Sequence, residues 1–154
     1  MSGYMIRRDG LEREDVLALL QQHLDQAAEW SPACKVHALP AESLRQPGVH
    51  FFSAWDGETL AAIGALKELG EGRGELKSMR AADAYRGKGA GRAILLHLLE
   101  EARAQGMSWL GLETGNTEPF LPAHRLYERH GFRNCEAFGD YISDDFSLCM
   151  SREL

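Results

Sequence analysis

A glycine-rich, basic stretch at Arg86 to Gly91 follows a strand-like segment and opens a strongly apolar helical one. Glycine can adopt positive φ and lets a ligand approach the backbone closely, so several N–H groups can converge on one point. The positive end of the following helix, predicted over Gly89 to Gln105, attracts an anion, as do the charges of Arg86 and Lys88. The stretch therefore predicts a strand, loop and helix unit that binds an anionic group, of which a pyrophosphate is the natural example.

Two common nucleotide-binding patterns do not fit this loop. A P-loop needs Ser or Thr directly after its lysine to hold Mg²⁺, and here Gly89 follows Lys88. The dinucleotide pattern Gly-x-Gly-x-x-Gly fails at its last position, where Arg92 stands in place of a small residue. Nucleotide hydrolysis and NAD binding are therefore disfavoured.

The loop is instead similar to the acyl-CoA pyrophosphate loop of the GNAT superfamily of N-acetyltransferases, Arg/Gln-x-x-Gly-x-Gly/Ala, through Arg86, Gly89 and Gly91. Three further segments resemble landmarks of that family in the right order. They are Glu75 to Ala81 for its fourth strand, Trp109 to Thr114 for its fifth strand, and Ala123 to Phe132 for its Ala-x-x-Leu-Tyr-x-x-x-Gly-Phe signature. The resemblance is close over residues 75–132, and the N-terminal half matches only in its order of elements.

The resemblance implies an α/β fold with a mixed, mostly antiparallel central sheet and helices on both faces. The family's fourth and fifth strands run parallel but splay apart, which leaves a cleft for the pantetheine arm of CoA. The resemblance also implies the small, stand-alone bacterial type of enzyme, with one domain over residues 1–154. Such an enzyme moves an acetyl group from acetyl-CoA to a primary amine by direct transfer in a ternary complex.

Acetyl transfer to an amine makes three chemical demands, and the resemblance assigns a residue to each. An ammonium with a pKa of about 10 must lose a proton, for which Glu75 resembles the family's general base. The backbone N–H of Met79 would polarise the thioester carbonyl, and Tyr127 would protonate the leaving thiolate. Each side chain also has a structural alternative, since Glu75 could simply pair with Lys77 or Arg73 and Tyr127 could be a packing aromatic.

The resemblance places the acetyl-CoA contacts at the end of the fourth strand and in the loop after it. These contacts are Met79, Arg80, Ala81, Arg86, Gly87, Lys88, Gly89, Ala90, Gly91 and Arg92. Asn116 completes the set, although it lies further before Tyr127 than the family's asparagine, with two prolines in between.

The charge balance argues against nucleic acid as a partner. With 17 Lys and Arg against 23 Asp and Glu, the net charge is −6, whereas phosphate-backbone binding needs a dominant basic surface. A local basic cluster would nevertheless steer a polyanionic cofactor to one place. Its members are Lys77, Arg80, Arg86, Lys88 and Arg92. The acidic remainder is compatible with an amine acceptor, either a small molecule or a peptide.

Neither a membrane nor a metal is expected as a partner. No apolar run is long enough for a span, and the first ten residues carry charges where a signal peptide would be apolar, so a cytoplasmic location is expected. The cysteines at 34, 135 and 149 contain no Cys-x-x-Cys pair. His124 and His130 are six residues apart and are expected to be surface histidines. A homodimer, common in the family, stays an open expectation.

The N-terminal half predicts alternating elements. Tyr4 to Arg8 is strand-like, and Asp9 with Glu12 has capping-box spacing before a helix that continues to about Glu29. Its buried stripe is predicted at Leu17, Leu20, Leu24 and Ala27. A hairpin around Asp56-Gly57 joins strands predicted at Val49 to Trp55 and Thr59 to Leu69, and Gly70 to Gly74 makes the next turn.

Two segments are predicted to be mostly loop. Ser31 to Gly48 has three prolines and a short predicted helix at Ala41 to Arg45, and it is the segment best suited to shape an acceptor pocket. A polar link over residues 139–144 joins the last strands, predicted at Phe132 to Phe138 and Asp145 to Ser151. Four aromatic residues could either line the acceptor site or belong to the core: Trp30, Phe51, Phe52 and Trp55.

Two other functional classes compete with a small-molecule enzyme. The chain could be a CoA-binding regulatory module without turnover, or an acetyltransferase subunit that modifies a protein. Intact Glu75 and Tyr127 favour turnover.

Overall fold

The computed structural model describes residues 3–30, 40–138 and 147–154. The strands are β1 (Met5–Arg8), β2 (Val49–Asp56), β3 (Thr59–Gly70), β4 (Arg73–Ala81), β5 (Trp109–Gly115), β6 (Arg133–Cys135) and β7 (Ser147–Glu153). The helices are α1 (Glu14–Trp30), α2 (Ala41–Leu44), α3 (Ala90–Ala104) and α4 (Leu121–Arg129). Short 3-10 helices, Asp83–Tyr85 and Glu118–Phe120, precede α3 and α4.

The strands form a seven-stranded sheet in the order β1, β2, β3, β4, β5, β7, β6. All neighbouring strands are antiparallel except β4 and β5, which confirms the predicted mixed and mostly antiparallel sheet. The parallel pairing extends only from Arg73↔Trp109 to Glu75↔Gly111, whereas β4 continues to Ala81. The two strands therefore separate after Glu75, as the resemblance implies.

Two apolar layers cover the two faces of the sheet. One layer packs α3 and α4 on the sheet and contains Phe52, Leu66, Leu76, Ile94, Leu98, Tyr127 and Phe132. The other packs α1 and α2 and contains Val16, Leu20, Leu44, Phe51, Trp55 and Ile63. Three of the four aromatic residues with an open role are therefore core residues, and the side chain of Trp30 lies outside the described part of the structure. No described helix is long and apolar enough to cross a bilayer.

The element boundaries differ from the predictions in three places. The first helix begins at Glu14, because the Asp9 carboxylate accepts from the Leu11 N–H at 2.9 Å and from Ser53 Oγ at 2.7 Å. Asp9 thus fixes a turn, with Leu11 at φ 59°, instead of capping the helix. The turn before β4 is tighter than predicted, and β6 is limited to Arg133–Cys135. Residues 31–39 and the link at 139–144 lie outside the described ranges.

Candidate active site

β4 carries a bulge in the part that has left β5. Ala65 pairs with Lys77 and Ile63 pairs with Arg80, so Ser78 and Met79 together oppose the single residue Gly64. Ser78 has a φ of 54°, which a residue with a side chain rarely adopts. A bulge re-aims the side chains that follow it, and this one determines which wall of the cleft each residue after Lys77 faces.

The bulge sends neighbouring side chains of β4 to opposite faces of the sheet. Directly opposed residues share a face, and Ile63 belongs to the layer under α1, so the Arg80 side chain lies on the α1 face. There its guanidinium donates to the side-chain oxygen of Gln26 on α1. Met79 and Ala81 instead pack against the layer under α3. The predicted contacts at 79–81 therefore divide between the two walls of the cleft.

Glu75 occupies the last paired position before β4 and β5 separate. Its side chain is only 4% exposed, the Lys77 side chain is 9% exposed, and Lys77 Nζ lies 3.3 Å from Glu75 Oε2. The structural alternative for Glu75, an ion pair with Lys77, is therefore present in this structure. The same carboxylate lies at the entrance to the cleft, where a base would be needed, so the two roles do not exclude each other.

The glycine-rich loop presents its backbone to solvent. Gly87 and Gly89 have φ of 72° and 83°, and a Cβ added at either position would meet no atom within 4 Å. Gly89 caps α3 without a side-chain hydrogen bond, and the first turn of α3 has no acidic residue. Because the first four N–H groups of a helix lack intrahelical partners, this end is available to an anion.

Neighbouring groups hold the loop in place and surround it with positive charge. The Tyr4 hydroxyl donates to the Lys88 carbonyl at 2.8 Å, and the Lys88 N–H donates to the Tyr85 carbonyl at 3.1 Å. Arg86, Lys88 and Arg92 are exposed, and Arg86 lies 3.2 Å from Asp83 Oδ1. An exposed pair of this kind contributes little free energy, so Arg86 can exchange it for a phosphate at small cost.

Helix α4 holds Tyr127 under the α3 face of the sheet. Tyr127 is 7% exposed, and its ring meets Phe132 edge to face with centroids 5.8 Å apart. Burial raises the pKa of its phenol to about 12, so the group keeps its proton at any physiological pH. A tyrosine in this state can donate a proton but does not act as an anion.

The histidine prediction is wrong for His124. His124 is buried, and its Nε2 donates to the Gly115 carbonyl at 2.8 Å, which ties α4 to the end of β5. His130 Nδ1 is 2.8 Å from the Leu126 carbonyl. Asn116 follows β5 directly and is exposed, at the mouth of the cleft.

Sequence reasoning missed the bulge and two buried hydroxyl groups, one in the bulge and one just after β5. Within the described ranges, Ser78 Oγ and Thr117 Oγ1 have no hydrogen-bond partner. A change in the spacing of apolar residues could have revealed the bulge, because Leu76 and Met79 are three apart instead of an even number. No comparable signal in the sequence identifies Thr117.

Known sequences are similar to most of this chain. Residues 16–132 match the model of the family described as "Acetyltransferase (GNAT) family". A Bacillus subtilis protein named uncharacterized N-acetyltransferase YsnE is 44% identical over 97% of this chain and 99% of its own length. A second relative, the uncharacterized N-acetyltransferase YedL of Escherichia coli, is 43% identical over 98% of this chain and 99% of its own length.

Solved structures show the same fold. A Klebsiella pneumoniae protein described as an acyl-CoA N-acyltransferase superposes with a TM-score of 0.80 at 26% identity, over 100% of this chain and 99% of that one. A Bacillus subtilis acetyltransferase solved in complex with CoA superposes with a TM-score of 0.69 at 20% identity, over 98% and 99% of the two chains.

Proposed function

The chain belongs to the GNAT family of acetyltransferases, and from that premise we propose that it transfers the acetyl group of acetyl-CoA directly to a primary amine. The observation that carries the proposal is the early end of the β4–β5 pairing at Glu75. It leaves an opening beside β4, with an exposed anion-binding loop after the strand and a buried, protonated tyrosine in the layer under α3. Residues 1–154 would act as one domain.

The described residues fit an acyl-CoA. Its pyrophosphate would lie on the N–H groups of Gly87 and of Gly89 to Arg92, where the open Cβ positions at Gly87 and Gly89 leave room for phosphate oxygens. Arg86 and Lys88 would add charge-assisted hydrogen bonds. The pantetheine arm would follow the free edge of β4 from Met79 to Ala81, with Asn116 on the facing wall.

Groups of the chain can then accept or donate each proton of the reaction and stabilise the charge that develops. The amine nitrogen attacks the carbonyl carbon of the thioester, and its proton passes to Glu75 directly or through water. The Met79 N–H stabilises the negative charge that develops on the carbonyl oxygen. As the C–S bond breaks, Tyr127 protonates the thiolate, whose thiol resembles cysteine with a pKa of about 8.5.

A panel of amines assayed for CoA thiol release tests this function. The panel contains amino acids, polyamines, arylalkylamines and short peptides, each with acetyl-CoA and purified protein, and mass spectrometry identifies the acetylated product. We expect thiol release that depends on the amine and yields an N-acetyl product. Acetyl-CoA binding without any turnover would instead favour the regulatory module, and amine-independent hydrolysis would contradict direct transfer to an amine.

A further inference from the structure

Two cysteines that are far apart in the sequence face each other in the sheet. Cys135 on β6 and Cys149 on β7 are direct register partners in an antiparallel pair, and both are free thiols. Directly opposed residues share a face, and their Cα atoms lie about 4.5 or 5.5 Å apart, depending on whether the two residues exchange hydrogen bonds. Disulfides form at Cα separations of about 4.4 to 6.8 Å. Either kind of pair therefore lies within the range of a disulfide.

The cysteine pair lies on the α1 side of the sheet. Met150 belongs to the layer under α3, so the neighbouring Cys149 side chain points to the opposite face. There Cys149 opposes Glu113 of β5 in register. The charges of Cys135, Glu113 and Glu75 all act on the Cys149 thiol. The two thiols are thus close together, on the face of the sheet that carries the proposed base.

The two thiols differ in accessibility. Cys149 is 0% exposed, whereas Cys135 is partly exposed and lines a surface hollow formed by residues 134–137. Burial raises the pKa of the Cys149 thiol, and a hydrogen bond from the Phe138 N–H offsets part of that effect. A small molecule can therefore reach Cys135, whereas Cys149 is placed to react with a group already attached to Cys135.

The edge position of β6 makes the approach of the two sulfur atoms easy. Opposed Cβ atoms lie about 4.5 to 5.5 Å apart, and a disulfide needs about 3.5 to 4.5 Å. β6 is the last strand of the sheet and has only 3 residues, Arg133–Cys135. Because it pairs with β7 on one side only, no second neighbouring strand opposes a movement of about 1 Å toward β7.

We propose that Cys135 and Cys149 form a cross-strand disulfide when a small-molecule disulfide, such as oxidised glutathione, reacts with Cys135. The Cys135 thiolate attacks one glutathione sulfur, the glutathione S–S bond breaks, and one glutathione leaves and takes up the proton that Cys135 lost. The Cys149 thiolate then attacks Cys135 Sγ, and the second glutathione leaves with the Cys149 proton. The protein dithiol is oxidised and the glutathione disulfide is reduced to two thiols. The inference goes beyond acetyl transfer and does not depend on it.

Oxidation of the folded protein followed by mass spectrometry tests the inference. The protein is incubated with oxidised glutathione, the remaining thiols are alkylated, and the chain is digested with trypsin. Both cysteines lie on one tryptic peptide, residues 134–152, because no Lys or Arg separates them, and Cys34 lies on another peptide. Cys135→Ser and Cys149→Ser are treated in the same way.

The wild-type peptide should become lighter by two hydrogen atoms and should carry neither an alkyl group nor glutathione. Cys149→Ser should keep glutathione on Cys135, because no second thiol can displace it. Cys135→Ser should carry little glutathione, since Cys149 is buried. Dithiothreitol should restore both alkylated cysteines in the wild type.

Three results would overturn the inference. They are a wild-type peptide that keeps glutathione on Cys135, a wild-type peptide that keeps both thiols free, and a disulfide that joins either cysteine to Cys34 instead. If a serine variant does not fold, the wild-type peptide decides the question.

The melting temperature shows whether the bond fits the folded sheet. A disulfide that closes the loop between β6 and β7 restricts the unfolded chain, so the oxidised protein should melt about 5 to 10 °C above the reduced protein. The melting temperature of Cys135→Ser should not respond to oxidised glutathione. A lower melting temperature of the oxidised wild type would show that the bond forms only by distorting the sheet, which would contradict the inference.

Discussion

The two walls of the cleft differ in the groups that they present. The α3 side, or cofactor wall, presents backbone N–H groups that are exposed because Gly87 and Gly89 have no side chains. The α1 side, or acceptor wall, presents the Glu75–Lys77 pair and the partly buried Arg80, and the bulge at Ser78 turns the Arg80 side chain to this side. Ligand binding at the loop should therefore be sensitive to any added Cβ. Binding at the acceptor wall should be sensitive to the chemistry of each side chain.

The largest expected effect is on Tyr127, which lies in the apolar layer under α3. Tyr127→Phe keeps the edge-to-face contact with Phe132 but removes the proton that the phenol could donate. General acid catalysis contributes about 10²- to 10⁴-fold, so kcat should fall within that range while the melting temperature and the Kd for CoA hold. Steady-state kinetics with any accepted amine measures the effect. Near-full activity would mean that water protonates the thiolate, and a collapse of stability would show a packing role.

The pH dependence of turnover is a second test of Tyr127 as the acid. Because burial raises the pKa of Tyr127 from 10 to about 12, the acid should stay protonated, and kcat should show no alkaline loss from a group near pH 10. The same pKa shift makes the stability of the fold depend on pH, since the neutral phenol is favoured in the folded state. Its contribution is complete below pH 10 and is lost as pH rises toward 12. Tyr127→Phe should lack that alkaline loss in denaturation experiments.

The next largest effect, on acetyl-CoA affinity, is expected when a side chain is added to the cofactor wall. Gly89→Val places a branched group where phosphate oxygens are expected, and we expect the Kd for acetyl-CoA to rise about 100-fold. Gly106→Val is the matched control, because Gly106 has φ 81° and equally open surroundings at the other end of α3. Both should lose about 2 kcal/mol of stability from the left-handed backbone. Calorimetry that finds equal Kd values for the two variants would contradict the proposed loop.

A smaller effect is expected when the acceptor wall loses its carboxylate. Glu75→Gln should lower kcat about 10- to 100-fold at pH 7 and less at higher pH, because more of the amine is then already neutral. Lys77→Met is the control, since it breaks the same ion pair but keeps the carboxylate. Each variant removes one member of a buried ion pair and should lose about 3 kcal/mol of stability. If their pH profiles coincide, Glu75 has only a structural role.

The smallest effect concerns the bulge that directs the acceptor wall. Ser78→Gly relieves the left-handed φ and removes a buried hydroxyl that has no partner within the described ranges, so the free energy of unfolding should rise by about 1 kcal/mol. Ser78→Ala removes the hydroxyl but keeps the strain, and it should gain less. Urea denaturation measures both. A lower stability of Ser78→Gly would show that the bulge is not strained.

The exposed glycine-rich loop before α3 could be predicted from the sequence, but the directions of the side chains on the acceptor wall could not. A backbone anion site needs glycine at fixed positions and a helix start after them, so the residues from Arg86 to Gly91 are enough to predict such a loop. The side of the sheet that Arg80 faces depends on one extra residue in β4, and that shifts every later side chain. The burial of His124 could not be predicted for a similar reason, because its hydrogen bond to the Gly115 carbonyl forms only when α4 packs on the end of β5.

The most direct test of this division between the two walls is a crystal structure of the protein with CoA. The pyrophosphate oxygens should lie about 3 Å from the N–H groups of Gly87, Gly89 and Gly91. The thiol should reach the opening between β4 and β5 near the Tyr127 hydroxyl, with the Arg80 guanidinium still under α1 and away from the phosphates. Phosphates held by Arg80, or CoA bound outside the cleft, would contradict the account.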